Sequence, residues 1–402
     1  MAMRRRWAVA LTAVALLIPG SARAEVAPPM QAARAMNPAL LQATLDAAHA
    51  AGGPGLAAVA RDGDRVWRGA AGAADTDTGR PARSDQRQRV GEVTMTFTAT
   101  AVLQQAQRGR IDLDAPIARY IPADVPGPRG RQITVRMLLQ HTSGLGDYLP
   151  RAFPSRSDWN PASFDAGRTR ALAPSRLIAW GLAEPATGAP GEKYAFSRTN
   201  YILAGRLLAA VTGETAEAVI TRDVIRAAGL TATTFPDGPG IDGPHPRMYE
   251  HLHGQADPPR DYSRYDMSYL GTAGALISTM DDLTTFYRAL FTGRLLGPAT
   301  LAEMRRTVPV PAPDDPTRPE YGLGLALAQL PCGTFWGHTG TPLGTTTRVL
   351  STSDATRQSA VTVNTAGHQQ LDGDGSPVPH PLDNATGAHT TQSLCGTLPP
   401  HP

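Results

Sequence analysis

Residues 89–122 read RVGEVTMTFTATAVLQQAQRGRIDLDAPIARYIP. From Phe97 to Gln107 the segment is rich in Ala, Thr, Val and Leu and shows no clean polar face. It predicts a helix buried on most of its sides. A carboxylate, Glu92, stands just ahead of it, and an Asp- and Pro-containing turn follows.

Toward the N-terminus, Asn37–Ala50 has helical spacing at Leu40, Leu41, Leu45 and Ala48, and Gly55–Ala60 with Arg65–Ala70 reads as a hairpin turned at Asp62-Gly63. Toward the C-terminus, 133–140 and 175–182 read as short helices, and 200–211 with 215–227 as an amphipathic pair. Thr279-Met280-Asp281-Asp282 opens a further helix with acidic residues in its first turn. From Tyr321 the period changes to that of strands, in YGLGLALAQL, GTFWGH, TTTRVLS and QSAVTVN. Strands, then a helical middle, then strands predict an α+β fold with one antiparallel sheet built from both chain ends. The sheet part is expected over about 37–90 and 270–365, and an inserted helical part over about 105–265. Residues 366–402 show neither periodicity and are expected to form an irregular tail.

The chain has 402 residues, 41% hydrophobic and 18% charged, which suits a globular protein with a sizeable core. A net charge of +3 gives no footing for a nucleic-acid partner. Of 38 basic residues only Lys193 is lysine, so a mechanism needing a lysine base has one candidate. Residues 1–24 read as a signal peptide: Arg4, Arg5 and Arg6, an apolar run from Trp7 to Ile18 too short for a stable anchor, and the cleavage pattern Ala22-Arg23-Ala24. The expectation is a protein secreted or released to a periplasm, without a membrane anchor, and monomeric. In such a compartment Cys332 and Cys395 predict a disulfide that ties the tail down.

Five stretches resemble the penicillin-binding protein and serine β-lactamase superfamily, most closely the secreted D-alanyl-D-alanine carboxypeptidases and class C β-lactamases. They are residues 89–122, ITVRMLLQHTSGLGDY, PGEKYAFSRTNYILAGRLLAAVTG, YLGTAGALISTMDDLTTFYRALFTGRLL and YGLGLALAQLPCGTFWGHTGTPLG, in order over about 37–365. The resemblance implies the fold of that superfamily, a β-lactamase-like domain over 25–395, and a cleft for a small molecule or peptide. It also implies acyl-serine chemistry with no cofactor and no metal.

The residues that carry this chemistry in the family are replaced. Family members have Ser-x-x-Lys at the start of the buried helix, where positions i and i+3 share a face and the amine can deprotonate the hydroxyl. Here the four residues are Glu92-Val93-Thr94-Met95. The family's Tyr-x-Asn is Phe196-Ser197-Arg198, without a phenolic oxygen and with a guanidinium that cannot act as a base. His338-Thr339-Gly340 is intact and expected on an edge strand; with Thr341 and Tyr269 it is the implied ligand-binding set. The basic residue that carboxypeptidases place on the preceding strand is missing from Tyr321–Leu330.

Two readings of Glu92 stay open. It pairs with Arg198 as a plug in the former active site, or it acts as a general acid/base with Arg198 and His338 on an exported metabolite or peptide. A catalytically silent protein that still binds peptidoglycan- or β-lactam-like ligands, and a residual carboxypeptidase-like hydrolase, are the further alternatives. A carboxylate beside Arg at a helix N-terminus has a lowered pKa, which makes it a weak base and favours the plug. Ser197 is expected to point away from the nucleophile position, His141 to be a packed loop residue, and His338 to serve the framework. His251, His253 and Asp257 suggest a metal only weakly, in a Pro-rich loop with no further spaced ligands. Asn384-Ala385-Thr386 matches a glycosylation sequon. Tyr262, Tyr265, Met267 and Tyr269 are expected at the cleft mouth, where stacking on a ligand and plain packing are both open.

Overall fold

The computed structural model describes residues 34–311, 319–373, 375 and 377–396. The signal-peptide reading of residues 1–24 lies outside them. No helix among the described residues is long and apolar enough to cross a membrane.

One nine-stranded antiparallel sheet organises the molecule. Its strands are β1 (Gly55–Asp62), β2 (Arg65–Asp75), β3 (Arg80–Pro81), β4 (Val308–Pro309), β5 (Glu320–Tyr321), β6 (Ala326–Leu330), β7 (Gly333–Gly340), β8 (Thr346–Ser351) and β9 (Arg357–Val363). They lie in the order β3-β2-β1-β9-β8-β7-β6-β5-β4. Both chain ends build it, as expected: Leu56 of β1 pairs with Val363 of β9. The expected strand Tyr321–Leu330 is broken at its glycines. Gly324 has φ +74°, and a Cβ there would lie 2.5 Å from the Cβ of Ala99. The chain bends so that its backbone can approach the buried helix.

That helix, α2 (Val93–Gln107), follows α1 (Pro38–Ala50), and Val93 through Gln105 are buried. Its threonines are tolerated because their hydroxyls are satisfied by carbonyls of the helix itself and of the segments packed against it. Thr96 donates to the Gly324 carbonyl at 2.8 Å, Thr98 to Thr272 at 2.7 Å and Thr100 to Thr96 at 2.7 Å. Phe97 stacks on Phe286, ring centroids 3.7 Å apart. Beyond α2 lie the helical segments, including α3 (Pro174–Ala183) and α4 (Arg198–Thr212). The chain returns to the sheet through α5 (Met280–Phe291), capped by Thr279, whose hydroxyl accepts the Asp282 N–H at 3.2 Å.

The C-terminal tail departs from expectation. Pro381–Cys395 forms a 15-residue helix, α6, which also contains the sequon. Its sequence hides it because no apolar stripe marks one face. The helix is set by its ends and by docking. His380 and Asp383 form a capping box, and Gly396 closes the C-terminus at φ +78°. Leu382 packs with Leu45, Leu56 and Val361. The Cys332–Cys395 disulfide is present, joining the β6–β7 turn to the last residue of α6.

Candidate functional site

The site lies where α2 begins and β7 ends. These elements approach so closely that glycine is required at two positions. A Cβ on Gly340 would sit 2.0 Å from the Val90 carbonyl oxygen, and one on Gly91, whose φ is +53°, 2.5 Å from Pro342. Glu92 occupies the N-cap position of α2, yet its carboxylate makes no cap bond to the helix. It is turned across the cleft instead.

There it meets Arg198, the first residue of α4. Nε and Nη2 of Arg198 donate to Oε1 of Glu92 at 3.1 and 2.7 Å. The Thr341 N–H donates to Oε2 at 2.9 Å. The other arm of Arg198 donates to Asp147 Oδ2 at 2.7 Å, so one guanidinium lies between two carboxylates. Its Cζ stands 5.0 Å over the Phe196 ring. The Glu92 side chain is 8% exposed, that of Arg198 18% and that of Asp147 21%.

Burial alone would raise the Glu92 pKa, but the Arg198 charge and the Thr341 N–H outweigh it and hold the carboxyl below its ordinary value. Burial likewise disfavours the charge on Arg198, while Asp147 and Glu92 push its pKa up. Glu92 therefore keeps its charge at neutral pH and is a weak proton acceptor.

Met95, at the position a lysine would need, is fully buried in the apolar core. His338 is buried between Tyr321, whose hydroxyl lies 2.9 Å from Nε2, and the Thr339 carbonyl, 2.5 Å from Nδ1. Desolvation lowers its pKa. Both ring nitrogens are engaged, which suits a framework role.

Strand β7 is internal rather than at the sheet edge. Its partner β6 stops opposite Gly337, however, so His338–Gly340 pair only with β8. Among the described residues no strand pairs with His338–Gly340 on their other side. Ser197 is buried and donates to the Gly146 carbonyl at 2.9 Å, away from Glu92. His141 is fully buried, with Nδ1 facing the Ser197 N–H at 3.3 Å and Asn200 Nδ2 at 3.1 Å. Burial draws its pKa well down, helped by the nearby His338 and Arg198.

One expectation needs correction. Tyr262, Tyr265, Met267 and Tyr269 are buried at 4% exposure or less, inside the main core rather than at a cleft mouth. Their aromatic edges pack on one another, as Tyr265 and Tyr269 do at 5.8 Å, and Tyr269 lies near enough to Glu92 and Arg198 to feel both charges. His251, His253 and Asp257 do not converge: His253 Nδ1 lies 2.8 Å from the Gln369 carbonyl, and no metal-holding group of three His, Cys, Asp or Glu occurs among the described residues.

Asp147 is the participant that sequence reasoning missed. It lies within the quoted GLGDY, but its partner is 51 positions away, and neither spacing nor composition signals that pairing. The Thr341 N–H, a backbone group, leaves no trace in side-chain patterns.

The family model described as Beta-lactamase matches residues 40–375. A D-stereospecific amidohydrolase from Streptomyces sp. is similar at 36% identity and a TM-score of 0.78, over 90% of this chain and 100% of that one. D-amino acid amidase from Ochrobactrum anthropi SV3 is similar at 25% identity and a TM-score of 0.72, over 88% of this chain and 96% of that one. Among curated proteins, esterase EstB of Burkholderia gladioli is 43% identical over 100 residues, 23% of this chain and 25% of the esterase. The putative penicillin-binding protein PbpX of Bacillus subtilis is 25% identical over 217 residues, 54% of this chain and 49% of that protein. The chain thus spans a quarter to about half of these curated relatives.

Proposed function

Since the chain belongs to the β-lactamase family, we propose that it is a catalytically silent member, exported from the cell, in which an ion-pair plug replaces the acyl-transfer apparatus. One observation carries this reading: the Glu92 carboxylate is spent on both oxygens, by Arg198 on one and the Thr341 N–H on the other. A nucleophile or base needs an accessible lone pair and a proton affinity near the working pH. Three of the four acceptor positions of Glu92 are taken and its proton affinity is lowered, Met95 and Phe196 carry no acid–base group, and Arg198 stays charged. Non-covalent acid/base chemistry at Glu92 is disfavoured for the same reason. What remains is recognition of a small molecule or peptide without turnover, by a single chain.

The relatives named as amidases, an esterase and a penicillin-binding protein set the test. The purified protein, incubated with a penicillin and measured by intact mass, is expected to show no adduct. D-phenylalanine amide is expected to be hydrolysed no faster than in buffer. A mass gain of one penicillin mapped to the cleft, or amide turnover abolished by Glu92→Gln, overturns the reading.

A further inference from the structure

We propose that Arg156 recognises an oxyanion, a carboxylate or phosphate carried by a small ligand of the Glu92 cleft; this rests on the reading of that cleft as a site of recognition and names the charge of what it takes. Arg156 lies on the single turn Pro154–Ser157, a few residues beyond Asp147. It is half-buried, and its guanidinium makes no hydrogen bond or ion pair among the described residues. Every other arginine among the described residues is either exposed or bonded through its guanidinium. The Arg156 nitrogens are nevertheless open to solvent, so a ligand can reach them.

The surroundings of Arg156 call for an anion and do not supply one. A partly desolvated charge without a partner is costly, and buried charges are normally paired. Burial lowers the Arg156 pKa, Arg198 lowers it further, and the attraction of Asp147 is the smaller effect. An anion bound at Arg156 is therefore favoured by Arg198 as well. The carboxylates of the cleft are already committed. Asp147 gives Oδ2 to Arg198 at 2.7 Å and Oδ1 to the Leu149 N–H at 3.1 Å. Both Glu92 oxygens are engaged by Arg198 and the Thr341 N–H.

The guanidinium is also held in place before anything binds. Its Cζ lies 4.5 Å over the Trp159 ring, and the His253 ring meets Trp159 edge-on, centroids 4.2 Å apart. Trp159 and His253 have φ +57° and +56°, a left-handed backbone that bulky side chains rarely adopt. His253 Nδ1, 2.8 Å from the Gln369 carbonyl, fixes that ring. Ser155 and Ser163 close the loop reciprocally, the N–H of each donating to the other's Oγ at 3.1 and 3.0 Å. Stacking covers one face of the guanidinium and leaves its in-plane N–H fork for a bidentate oxyanion.

Ligand-observed ¹⁹F NMR on the full chain tests this, with 4-fluorobenzoate, 4-fluorophenyl phosphate and the neutral 4-fluorobenzamide as probes. At least one anion is expected to bind saturably and the amide is not; the tighter anion names the headgroup. Arg156→Gln is expected to weaken that anion about five- to tenfold, between the worth of an exposed ion pair and that of a charge-assisted hydrogen bond. Because the Arg156 guanidinium bonds nothing in the fold, the same variant is expected to melt at the wild-type temperature or above it. No saturable binding of either anion, equal binding of the amide, unchanged affinity in Arg156→Gln, or a melting temperature lowered by that substitution would each overturn the proposal. A penicillin adduct or amide turnover would overturn the silent reading of Glu92 and leave the assignment of Arg156 standing.

Discussion

Arg198 joins two carboxylates that are unequally placed, and this makes the two single mutants of the plug unequal. In Arg198→Met, Asp147 can turn to water, being 21% exposed, but Glu92 is left buried with only the Thr341 N–H. Breaking a buried pair this way costs about 3–5 kcal/mol. In Glu92→Gln, Arg198 keeps Asp147 at 2.7 Å, and the amide oxygen can still accept from Thr341. That cost is about 1.5–3 kcal/mol, the worth of a charge-assisted hydrogen bond. The double variant removes the buried charges together, so its cost falls short of the sum by about 2 kcal/mol or more. Urea denaturation of the four proteins at pH 7, disulfide intact, measures the coupling. A value below about 0.5 kcal/mol refutes the plug. The pH dependence follows with its sign. The Glu92 pKa is depressed in the folded state, so its contribution is present above the ordinary value of 4.5 and is lost as pH falls through the folded value. Glu92→Gln should flatten that part of the acid limb.

Three further outcomes are expected. Glu92→Ser with Met95→Lys, Phe196→Tyr and Arg198→Asn restores the family cluster at its spacings, and intact mass should then show slow acylation by a penicillin; a folded variant without any adduct would mean that Asp147 or the cleft walls also bar the reaction. Replacing Cys332 and Cys395 by Ala opens a loop of 63 residues, and the stability measured in urea should drop by about 4 kcal/mol on chain entropy; an unchanged midpoint would show that docking of α6 alone fixes the tail. Glu250 is buried and accepts N–H groups from Leu252 at 3.1 Å and Gly344 at 3.0 Å, with desolvation pushing its pKa up to about 7. Its folded pKa exceeds the unfolded one, so wild type should lose about 3 kcal/mol relative to Glu250→Gln between pH 5 and pH 8, and a flat difference curve would refute that.

The architecture was readable because its signals are local and repeated. The alternation from Gly333 onward, the unbroken burial of α2 and the Thr279 cap each rest on neighbouring residues. The failures have a common cause in tertiary contact. Gly322–Leu325 looks like strand until Ala99 is placed against Gly324. The α6 segment has no apolar stripe, and its helix is fixed by caps and by packing on α1. The tyrosines at 262–269 carry polar tips that suggested a mouth. Inside, Tyr265 satisfies its hydroxyl on the Phe164 carbonyl at 2.8 Å and is buried outright. At the site, the Glu92–Arg198 pairing was legible because the family's spacing places those positions face to face. Asp147 and Thr341 were not, since a fold must exist before a loop carboxylate and a backbone N–H can share one guanidinium–carboxylate pair.

The two buried carboxylates near the end of β7 divide between them the two properties that a general base needs. A general base works best with a pKa near the operating pH and a lone pair that substrate can reach. Glu92 has the location, beside His338–Gly340, but Arg198 and the Thr341 N–H lower its proton affinity and engage both oxygens. Glu250 has the proton affinity, near 7, but at 5% exposure its oxygens are held by Leu252 and Gly344 in the turn behind the strand. Thr341 and Gly344 belong to the same short turn, so one carboxylate grips each end of it. Moving base strength from Glu250 to Glu92 would require removing Arg198, and that leaves Glu92 without its counter-ion. The arrangement that holds the β7–β8 turn against α2 is therefore the one that lowers the affinity of Glu92 for a proton.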